Sequence, residues 1–545
     1  QQLADRVLAQ PERCARAQRS RQPAAQQPAA HRCDRRIEHA GHGTLAIDAG
    51  SFAGARGVVH GNGALLLGGN DIALDGAETI AARVRIDSAR LSNRGGQIVQ
   101  SGSGTLEILA TSTFDNTAGT VTSRGDARLA VGSLGNRDGI LLADRQLALQ
   151  AGSIDNTRGR IEAQGGAATV GVAGSLDNSA GRIASGGDMR LAAATLANSG
   201  TLYSLGSLKL SAGTVNNAAV IAARGNLTLD AGQVTGTATS LFAAGIQADG
   251  SLAAAGDLGI RASGALVSGG RNLAAGALAL AGESIDLGGS RIQGAGVALD
   301  AAGALVTASA VLTTPGTLAI SARDMDNRRG RIEAGLLEVN AASLANGAGQ
   351  IVQTGSGAAR IALTAGLDNR AGIVAGNGGL EIAAATIDNR GGVLQSLGRG
   401  SLVAGAGVDN SGGLLAVGGA LNLAASALDN TGGTVSAGEG ASLGFAGAVT
   451  NLDGLMVSKG GFGLEAGSLD NTRGVLQSSQ GDVKLSLAGA LVNGAGRVLA
   501  GQDLRAALGS LDNTGHLYAG GDAGFTVAGS VSNTASIAAG GSLSI

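Results

Sequence analysis

The sequence predicts an all-β fold, a parallel β-helix or solenoid in which each turn of the chain, here called a rung, contains about 20 residues. A short motif returns along most of the chain: Leu or Ile, then Asp-Asn, then a glycine three residues after the asparagine, as in residues 154–159 and 469–474. Glycine is 95 of the 545 residues, proline is 4, and aromatic residues are 1%. The interior is therefore expected to be narrow and filled by Leu, Ile, Val and Ala.

Strands rather than helices are expected between the repeated motifs. Short alternating segments such as residues 160–163 are separated by Gly-Gly, Gly-Asp or Asp-Asn, which is typical of strands and turns. A helix is the competing interpretation of the Ala-rich segments, but each glycine costs about 1 kcal/mol relative to alanine and no 3.6-residue period survives. One rung buries too little apolar surface to offset its backbone entropy, so rungs must stack to fold.

An asparagine occupies the same position of the repeat in successive rungs. Asparagine tolerates the left-handed turn conformation, its amide bonds to the local backbone, and stacked amides bond to one another. We therefore predict a structural ladder of asparagines along one corner of the solenoid. Its members are Asn93, Asn116, Asn136, Asn156, Asn178, Asn198, Asn217, Asn327, Asn346, Asn369, Asn389, Asn410, Asn430, Asn451, Asn471, Asn493, Asn513 and Asn533.

The aspartate that precedes the asparagine is predicted to point outward, because strand neighbours face opposite sides. Stacking would align these aspartates beside arginines, and mutual charge compensation on a solvated edge is the favoured interpretation. A stripe that binds calcium or a polyanion is the alternative. The aspartates are Asp155, Asp177, Asp388, Asp409 and Asp429, and the arginines are Arg94, Arg137, Arg158, Arg370, Arg390 and Arg473.

Residues 1–40 differ in composition from the remainder of the chain. They contain no glycine, three of the four prolines and both cysteines. We predict a disordered lead-in or a mis-framed segment there; an Arg-rich arm for anionic surfaces is a less favoured alternative. A metal cluster of Cys14, His31, Cys33 and Asp34 is disfavoured, since no second close pair of ligands completes a zinc-type spacing.

Residues 41–545 are predicted to form one repeat domain. The Asp-Asn signature fades at about residues 235–325, while the rhythm of glycine and aliphatic residues persists there. The solenoid is expected to continue through this section with different corner residues, and Pro315 is expected to mark a bulge or an edge.

Charge and hydropathy limit the partners of the chain. A formal net charge of -2 provides no basic excess for a phosphate backbone, so no nucleic-acid partner is expected. No apolar run approaches the roughly 18 to 20 residues of a membrane helix, so no transmembrane segment is expected. We also expect no cofactor and no metal site. Because the first residue is Gln1, we expect the chain to be part of a longer protein.

The repeated pattern Leu-Asp-Asn-Thr-x-Gly-x-Ile/Leu, followed by Gly-Gly-x-Leu-x-Leu, resembles the haemagglutinin repeats of filamentous haemagglutinin and related large exoproteins. The resemblance covers nearly all of residues 41–545. It implies a right-handed β-helical shaft that a Gram-negative bacterium exports through the outer-membrane transporter of a two-partner system. The family includes adhesins, haemolysins and contact-dependent growth inhibition proteins.

The resemblance further implies a protein that is secreted or held at the bacterial cell surface. We expect a structural and adhesive shaft that attaches to receptors on host cells or other bacteria, with the receptor unidentified. The stalk of a contact-dependent growth inhibition toxin is the alternative, because such a stalk would share the same repeats.

Arg124-Gly125-Asp126 is the one candidate receptor-binding motif, because an exposed Arg-Gly-Asp turn resembles integrin ligands. The competing interpretation is that the repeat itself generates such tripeptides, as in residues 186–188 and 224–226. We favour the second interpretation.

A β-helical polysaccharide-degrading enzyme is the rival functional class. Such chemistry needs paired acids or an Arg/Asp cluster in a groove, usually flanked by aromatic platforms for sugar rings. The chain has no Trp and five His, and its repeats run almost without insertions. We therefore predict that it is not an enzyme and contains no catalytic residues.

Overall fold

The computed structural model of the protein describes residues 36–247, residue 251 and residues 255–545. These residues form strands, turns and bends, and none of them lies in a helix, so no described segment is a helix able to cross a membrane. The chain divides into two compact units. The first unit comprises Gln1–Gly236 and Ser240–Asp257, and the second comprises Thr237–Thr239 and Leu258–Ile545. The candidate metal cluster at Cys14, His31, Cys33 and Asp34 lies outside the described residues.

The strands of the first unit, in chain order, are β1 Arg36–His39, β2 Thr44–Asp48, β3 Ser51–Ala53, β4 Val58–Ala73, β5 Glu78–Ser92, β6 Gln97–Gln100, β7 Leu106–Asp115, β8 Thr120–Ser123, β9 Ala127–Gly135, β10 Ile140–Ala143, β11 Leu147–Asp155, β12 Arg160–Ala163, β13 Ala168–Asp177, β14 Arg182–Ser185, β15 Met189–Asn198, β16 Thr201–Ser204, β17 Leu208–Asn217, β18 Val220–Ala223, β19 Leu227–Gly236 and β20 Leu241–Ala244.

The strands of the second unit are β21 Leu258–Ala262, β22 Ala265–Ser268, β23 Arg271–Ala274, β24 Ala277–Gly282, β25 Ser284–Asp286, β26 Arg291–Gln293, β27 Gly296–Ala301, β28 Ala304–Val306, β29 Val311–Ser321, β30 Asp324–Asp326, β31 Arg331–Ala341, β32 Ser343–Ala345, β33 Gln350–Gln353, β34 Ala359–Leu363, β35 Gly366–Asp368, β36 Ile373–Gly376, β37 Leu380–Asp388, β38 Val393–Ser396, β39 Gly400–Asp409, β40 Leu414–Val417, β41 Leu421–Asp429, β42 Thr434–Ala437, β43 Ala441–Phe445, β44 Ala448–Thr450, β45 Leu455–Ser458, β46 Phe462–Ala466, β47 Ser468–Asp470, β48 Val475–Ser478, β49 Val483–Asn493, β50 Arg497–Ala500, β51 Leu504–Asn513, β52 His516–Ala519, β53 Ala523–Val527, β54 Val531–Asn533, β55 Ser536–Ala539 and β56 Leu543–Ser544.

A single rung has three faces, and the rung that contains β12 and β13 shows them. The first face is the short strand β12, which follows the asparagine corner. The second face is the first half of β13, and the third face is its last residues, with the strand bending between them at a register shift between Val172 and Ser175. Because each face pairs in parallel with the same face of the next rung, the side chains of successive rungs stack in columns.

The core forms from the alternation of side chains within each strand. In the first face the second residue points inward, so that Leu141, Ile161, Ile183 and Leu202 stack in register and are fully buried. The second and third faces contribute residues such as Leu191 and Leu196 in the same way. Each aliphatic side chain therefore packs on its counterparts above and below, and burial of one such side chain contributes about 2 kcal/mol.

The predicted parallel β-solenoid with rungs of about 20 residues is confirmed. The right-handed sense of the coil remains a prediction. Strands β21, β24, β27 and β29, in the section where the signature fades, also pair in parallel, so the same architecture is present there without the asparagine corner. Pro315 lies at the register shift between Thr314 and Thr317, where the chain turns from the first face to the second. The first described strand, β1, pairs with β4 and begins before Gly41.

Candidate functional site

The ladder asparagines of the first unit form a continuous column of side-chain hydrogen bonds inside one corner. The amide Nδ2 of Asn136 donates to Oδ1 of Asn156 at 2.8 Å, and Asn156 donates in the same way to Asn178 at 2.8 Å. The column runs from Asn93 to Asn217, and its side chains are at most 2% exposed. Every amide inside the column therefore both donates to and accepts from its neighbours, which satisfies groups that are costly to bury unpaired.

The second unit contains a corresponding column from Asn327 to Asn533, with Nδ2 to Oδ1 distances of 2.7 or 2.8 Å. Asn533, the last member, is exposed, whereas the others are fully buried. The Thr307 hydroxyl donates to Oδ1 of Asn327 at 2.9 Å and so caps the first member. In the first unit, the Oδ1 of Asn93 is buried without a partner, and the last amide, Asn217, donates to the carbonyl of Leu241.

The local corner structure explains the glycine that follows most ladder asparagines by three residues; Asn198, Asn217, Asn513 and Asn533 lack it. A Cβ atom on Gly159 would lie 2.0 Å from the carbonyl oxygen of Asn136 and 2.6 Å from Oδ1 of Asn156. The asparagine amide also donates to the carbonyl of that glycine, at 3.2 Å for Asn156 and Gly159. Only a residue without a side chain fits between the stacked amides and the backbone of the preceding rung.

The left-handed conformation occurs at a different residue from the one that the sequence suggested. No described asparagine has a positive φ; in most rungs the residue two positions later does, as at Arg158 (φ 54°), Ala180 (φ 51°) and Gly432 (φ 61°). The asparagine is selected instead for its amide, which reaches three partners inside the corner: the next asparagine and two backbone carbonyls.

The aspartate before the asparagine closes the same corner from the outside. Oδ1 of Asp155 accepts the backbone N–H of Thr157 at 3.0 Å and its hydroxyl at 2.7 Å. Burial raises the pKa of Asp155, but the bonds from Thr157 and from the Arg137 guanidinium lower it by more, so the net pKa lies below its usual range. Asp177 and Asp429 hold Ser179 and Thr431 in the same way. The Asp-Asn-Thr/Ser sequence is therefore a self-bonded turn.

Where arginine replaces the hydroxyl residue, the aspartates and arginines form exposed ion pairs along the axis. Arg370 contacts Asp368 at 2.6 Å and Asp388 at 3.6 Å, and Arg390 contacts Asp388 at 2.6 Å and Asp409 at 3.4 Å. The hydrogen bond from Arg370 lowers the pKa of Asp368 and outweighs burial, which raises it. Each pair contributes about 1 kcal/mol or less because the guanidinium groups are solvated.

The remaining predicted arginines divide into two groups. Arg94 contacts Asp115 and Arg137 contacts Asp155. Both aspartates directly precede a ladder asparagine, which is the position that the sequence predicted for the partners of these arginines. Arg158 and Arg473 pair instead with Asp138 and Asp453, which occupy the left-handed position of the preceding rung. A groove of 570 Å³ on the third face of the first unit is lined by Arg94, Arg137 and their partners, so its guanidinium groups are already neutralised. Within the described residues, no group of three or more His, Cys, Asp or Glu side chains could hold a metal ion.

Arg124, Gly125 and Asp126 form the corner between the first and second faces, after β8. Arg124 is exposed, Gly125 is buried, and a Cβ atom on Gly125 would lie 2.0 Å from the carbonyl oxygen of Gly104 in the preceding rung. Oδ1 of Asp126 accepts the backbone N–H of Gln146 in the next rung at 3.1 Å. The tripeptide is therefore packed between two rungs and its carboxylate already has a partner.

We expect Asp126→Glu to leave the attachment of integrin-bearing cells to the protein unchanged, because the carboxylate serves the corner rather than a receptor. Cell adhesion to surfaces coated with the variant and with the unaltered chain measures this. Arg124→Ala is a second variant that leaves the corner bonds of Asp126 intact. A severalfold loss of adhesion in both variants, with unchanged thermal unfolding, would assign receptor binding to this tripeptide.

The structural role of Asp126 belongs to a second set of corner residues that sequence reasoning missed. Asp188, Asp482, Asp503 and Asp522 each accept the backbone N–H of the equivalent residue in the next rung, at 2.7 to 3.0 Å. The recurring Gly-Asp and Gln-Asp pairs before a strand were the available signal. These carboxylates satisfy N–H groups that the parallel ladder leaves unpaired at this corner.

Two buried glutamines at the same corner were also missed. Gln100 and Gln353 are fully buried; each accepts a backbone N–H from the preceding rung at 3.0 Å and donates to a glycine carbonyl at 2.6 Å. Both lie in the same sequence, Gln-Ile-Val-Gln-Ser/Thr-Gly-Ser-Gly, at residues 97–104 and 350–357. The duplication of this octapeptide was the signal in the sequence for a shared structural role. Its second glutamine, Gln100 or Gln353, fills the interior of a rung that is longer than its neighbours.

Glu162 is a buried carboxylate on the outward side of the first face. It is 7% exposed and contacts Arg160 and Arg182, each at 2.7 Å. Burial raises the pKa of Glu162, but the hydrogen bonds from Arg160 and Arg182 lower it by more, so the net pKa lies below its usual range. The cluster joins two adjacent rungs on a face that is otherwise apolar in this part of the chain.

We expect Glu162→Gln to lower the free energy of unfolding by about 2 kcal/mol at neutral pH, since two charge-assisted bonds are weakened. Because the folded-state pKa lies below the unfolded value of about 4.3, this stabilisation is present above that pH and is lost as the pH falls through the folded pKa. The difference in the free energy of unfolding between the variant and the unaltered chain should therefore shrink in acid, and urea unfolding at several pH values measures it. Glu333→Gln, whose glutamate has one arginine partner at 3.1 Å and is more exposed, is the matched control with a smaller expected effect.

Two comparisons with known proteins found similarities to this chain, and a third found none. Toxin CdiA of Yersinia pestis is 30% identical over 151 residues, which is 27% of this chain and 4% of the length of that protein. No solved structure matches the chain. A family model described as Haemagglutinin repeat matches residues 37–103, 99–167, 163–213, 195–246, 242–309, 305–356, 332–412, 395–444, 416–495 and 492–545.

Proposed function

Because the chain belongs to the haemagglutinin repeat family, we propose that it is a structural and adhesive shaft within a large secreted surface exoprotein, similar to filamentous haemagglutinin. The observation that carries the proposal is the rung-on-rung stacking within each unit, with its buried amide columns. A shaft requires a body that gains length by repetition, and each added rung advances about 4.8 Å.

The placement of the polar side chains supports a structural role for the repeats. Asparagines, glutamines and corner aspartates are bonded to other rungs or to their own turns, and many charged outer residues are ion-paired. Groups held in this way stabilise the stack and leave few side chains poised for chemistry. We therefore propose that this segment is not catalytic, and a polysaccharide-degrading enzyme is the least supported of the functions considered.

Export through an outer-membrane transporter of a two-partner system, and a location at the surface of a Gram-negative cell, form part of the proposal. Contacts in a solenoid are made between neighbouring rungs, so such a chain can fold progressively as it emerges from a pore. The sequence after Cys33 contains no cysteine, so no disulfide in that part of the chain would obstruct passage. The adhesive partner is proposed to be a receptor on host cells or other bacteria.

The stalk of a contact-dependent growth inhibition toxin is the second candidate function. The similarity to Toxin CdiA of Yersinia pestis favours it, although the match spans a small part of that protein. The repeats would serve as a spacer in both cases. The two candidates differ in whether the repeats themselves contact the target cell.

Attachment of beads coated with the 545-residue chain to epithelial cells and to bacteria distinguishes the two candidates. Saturable attachment that free chain inhibits supports the adhesive shaft. Beads that attach no better than beads coated with an unrelated β-solenoid would contradict adhesion by this segment and favour a spacer alone.

A shaft should tolerate the removal of one whole rung but not of half a rung. We expect deletion of residues 411–430, which joins Asn410 to Thr431, to give a folded protein with unchanged strand content, because the amide column closes on itself. Deletion of residues 411–420 is expected to disrupt the second unit, since it moves core residues out of register. Circular dichroism and urea unfolding measure both outcomes. Equal damage by both deletions would contradict a modular shaft.

A further inference from the structure

Asparagine is followed directly by glycine at four places in the sequence, which are Asn62, Asn346, Asn377 and Asn493. Asparagine is a chemically labile residue, and it is most labile before glycine, because a glycine nitrogen has no neighbouring Cβ atom to hinder its attack on the asparagine carboxamide. The structure places the four pairs at two different positions of the rung. Two belong to the amide column of the second unit, and two lie at the corner between the first and second faces.

The pairs at Asn346 and Asn493 are held inside the column. Both asparagines are fully buried. The amide of Asn346 donates to Oδ1 of Asn369 at 2.8 Å, and its own Oδ1 accepts from Nδ2 of Asn327 at 2.8 Å. To react, the carboxamide would have to leave the column and reach water, which happens only in a locally unfolded state. These two pairs are therefore protected while the chain is folded.

The pairs at Asn62 and Asn377 share one arrangement at the other corner. Each asparagine is exposed and stands between two glycines, directly after the first face of its rung. Its amide donates to a backbone carbonyl of the preceding rung, that of Ala40 at 2.9 Å for Asn62 and that of Thr354 at 2.8 Å for Asn377. Release of this bond leaves the carboxamide free to turn in solvent towards the nitrogen of the next residue.

The nitrogen that would attack is available at Asn377. In the first unit, the hydroxyl of Ser123 at the end of the first face accepts the N–H of Gly125 at 3.2 Å. Gly376 occupies the equivalent position in the second unit and has no hydroxyl. Within the described part of the chain, the N–H of Gly378 donates to no acceptor. No hydrogen bond therefore competes with its approach to the carboxamide.

We infer that Asn62 and Asn377 are sites of covalent modification by deamidation, and that the two column pairs are not. The nitrogen of the following glycine attacks Cγ of the asparagine and forms a bond to it, while the Cγ–Nδ2 bond breaks. The amide leaves as ammonia with the proton of the attacking nitrogen, and a five-membered succinimide remains. Water then adds to one of the two ring carbonyls and opens the ring, which yields aspartate or isoaspartate and releases one proton.

Deamidation loosens the corner at which it occurs. The new carboxylate at position 377 has no N–H to donate to the carbonyl of Thr354, and its oxygens repel that carbonyl oxygen. Isoaspartate also adds a carbon atom to the main chain where packing is tight, since even a Cβ atom on Gly378 would overlap with the carbonyl oxygen of Gly357. Each event adds one negative charge. Two defined rungs are thus the places where the stack weakens as the protein ages.

Incubation of the folded chain at mildly alkaline pH, followed by proteolysis and mass spectrometry, tests the proposal. We expect peptides with Asn62 and Asn377 to gain one dalton, partly as isoaspartate, at least about tenfold faster than peptides with Asn346 and Asn493, because the buried pairs react only in rare open states. In urea, all four pairs should react at similar rates. Similar rates in the folded chain would overturn the proposal, as would unmodified Asn62 and Asn377 in a folded chain whose unfolded form reacts.

Gly376→Ser is the variant that tests the role of the unbonded N–H. Gly376 is in register with the buried Gln353, as Ser123 is with the buried Gln100, so the variant reproduces the arrangement of the first unit. A Cβ atom on Gly376 would meet no atom closer than 3.4 Å, which is ordinary van der Waals contact. Gly376→Ala, which adds the same Cβ atom without a hydroxyl, is the matched control.

The serine hydroxyl should accept the N–H of Gly378 and slow deamidation at Asn377 severalfold relative to the Gly376→Ala variant. The rate at Asn62 in the same molecule serves as an internal reference and should be equal in both variants, which also shows that both are folded alike. A slower reaction at Asn377 in the serine variant alone supports the proposed geometry. Equal rates at Asn377 in the two variants would overturn it.

Discussion

Asn410→Ala is expected to lower the free energy of unfolding of the second unit by about 3 to 5 kcal/mol, since it opens a buried amide column at its middle. Asn410 donates to Oδ1 of Asn430 at 2.7 Å and accepts from Nδ2 of Asn389 at 2.7 Å. It also donates to the carbonyls of Gly413 and Thr434. The substitution removes all of these bonds and leaves a cavity in a corner that water does not reach.

The largest part of this cost is the carbonyl oxygen of Asn430, which would be buried without a donor. An orphaned buried polar group costs about 1 to 3 kcal/mol, more than the net worth of the bond that is lost. Among the described ladder asparagines, only Asn93 has such an orphaned oxygen, at the first member of its column. In the middle of a column the same defect separates two stacks that otherwise unfold together.

Urea unfolding followed by circular dichroism measures the loss, and hydrogen exchange of backbone amides near Asn389 and Asn430 locates it. Asn422→Ala is the matched control, because Asn422 is exposed on the second face of the same rung and should change stability by less than about 0.5 kcal/mol. Equal small effects of both substitutions would show that the amide column contributes nothing beyond the aliphatic core.

Gly433→Ala is expected to destabilise the second unit by about 3 kcal/mol, whereas Gly432→Ala should cost about 1 kcal/mol. A Cβ atom on Gly433 would lie 2.1 Å from the carbonyl oxygen of Asn410 and 2.7 Å from Oδ1 of Asn430. Both atoms belong to the corner that holds the column, so neither can move without breaking it. At Gly432, nothing lies within 4 Å of the added atom.

The smaller cost at Gly432 is conformational, because its φ of 61° is in the left-handed region. Other rungs already accept alanine at this position, for example Ala371 with φ 52° and Ala495 with φ 52°. Thermal and urea unfolding of the two variants compare a steric cost with a conformational cost at adjacent residues. A Gly432→Ala variant less stable than Gly433→Ala would show that the close approach at Gly433 relaxes easily.

Both substitutions probe the same device, a column that fixes the register of one rung on the next. Aliphatic columns alone tolerate sliding, because Leu, Ile and Val pack on one another in many ways. A donor and an acceptor that must meet at 2.7 or 2.8 Å permit one alignment. Buried amides serve the same purpose in coiled coils, where a single asparagine selects the register.

The repeat in the sequence by itself determined the solenoid, its rung length and the residues that share each column. Between Asn93 and Asn217, and again between Asn327 and Asn533, the asparagines return in every rung. A stacked chain necessarily places equivalent residues above one another, so that Asn136, Asn156 and Asn178 meet without further information. The inward positions of Ile154 and Ile161 followed from the two-residue period of strands in the same way.

Contacts that do not follow the repeat were decided by the tertiary structure. Arg158 contacts Asp138 rather than Asp155, because a long flexible side chain can reach more than one carboxylate at nearly equal cost. The left-handed residue proved to follow the asparagine by two positions, since it is the turn geometry rather than the residue type that requires it. The hydroxyl of Tyr203 donates to the carbonyl of Ile246, in a segment that lacks the Asp-Asn signature, and periodicity carries no information about where such a segment packs.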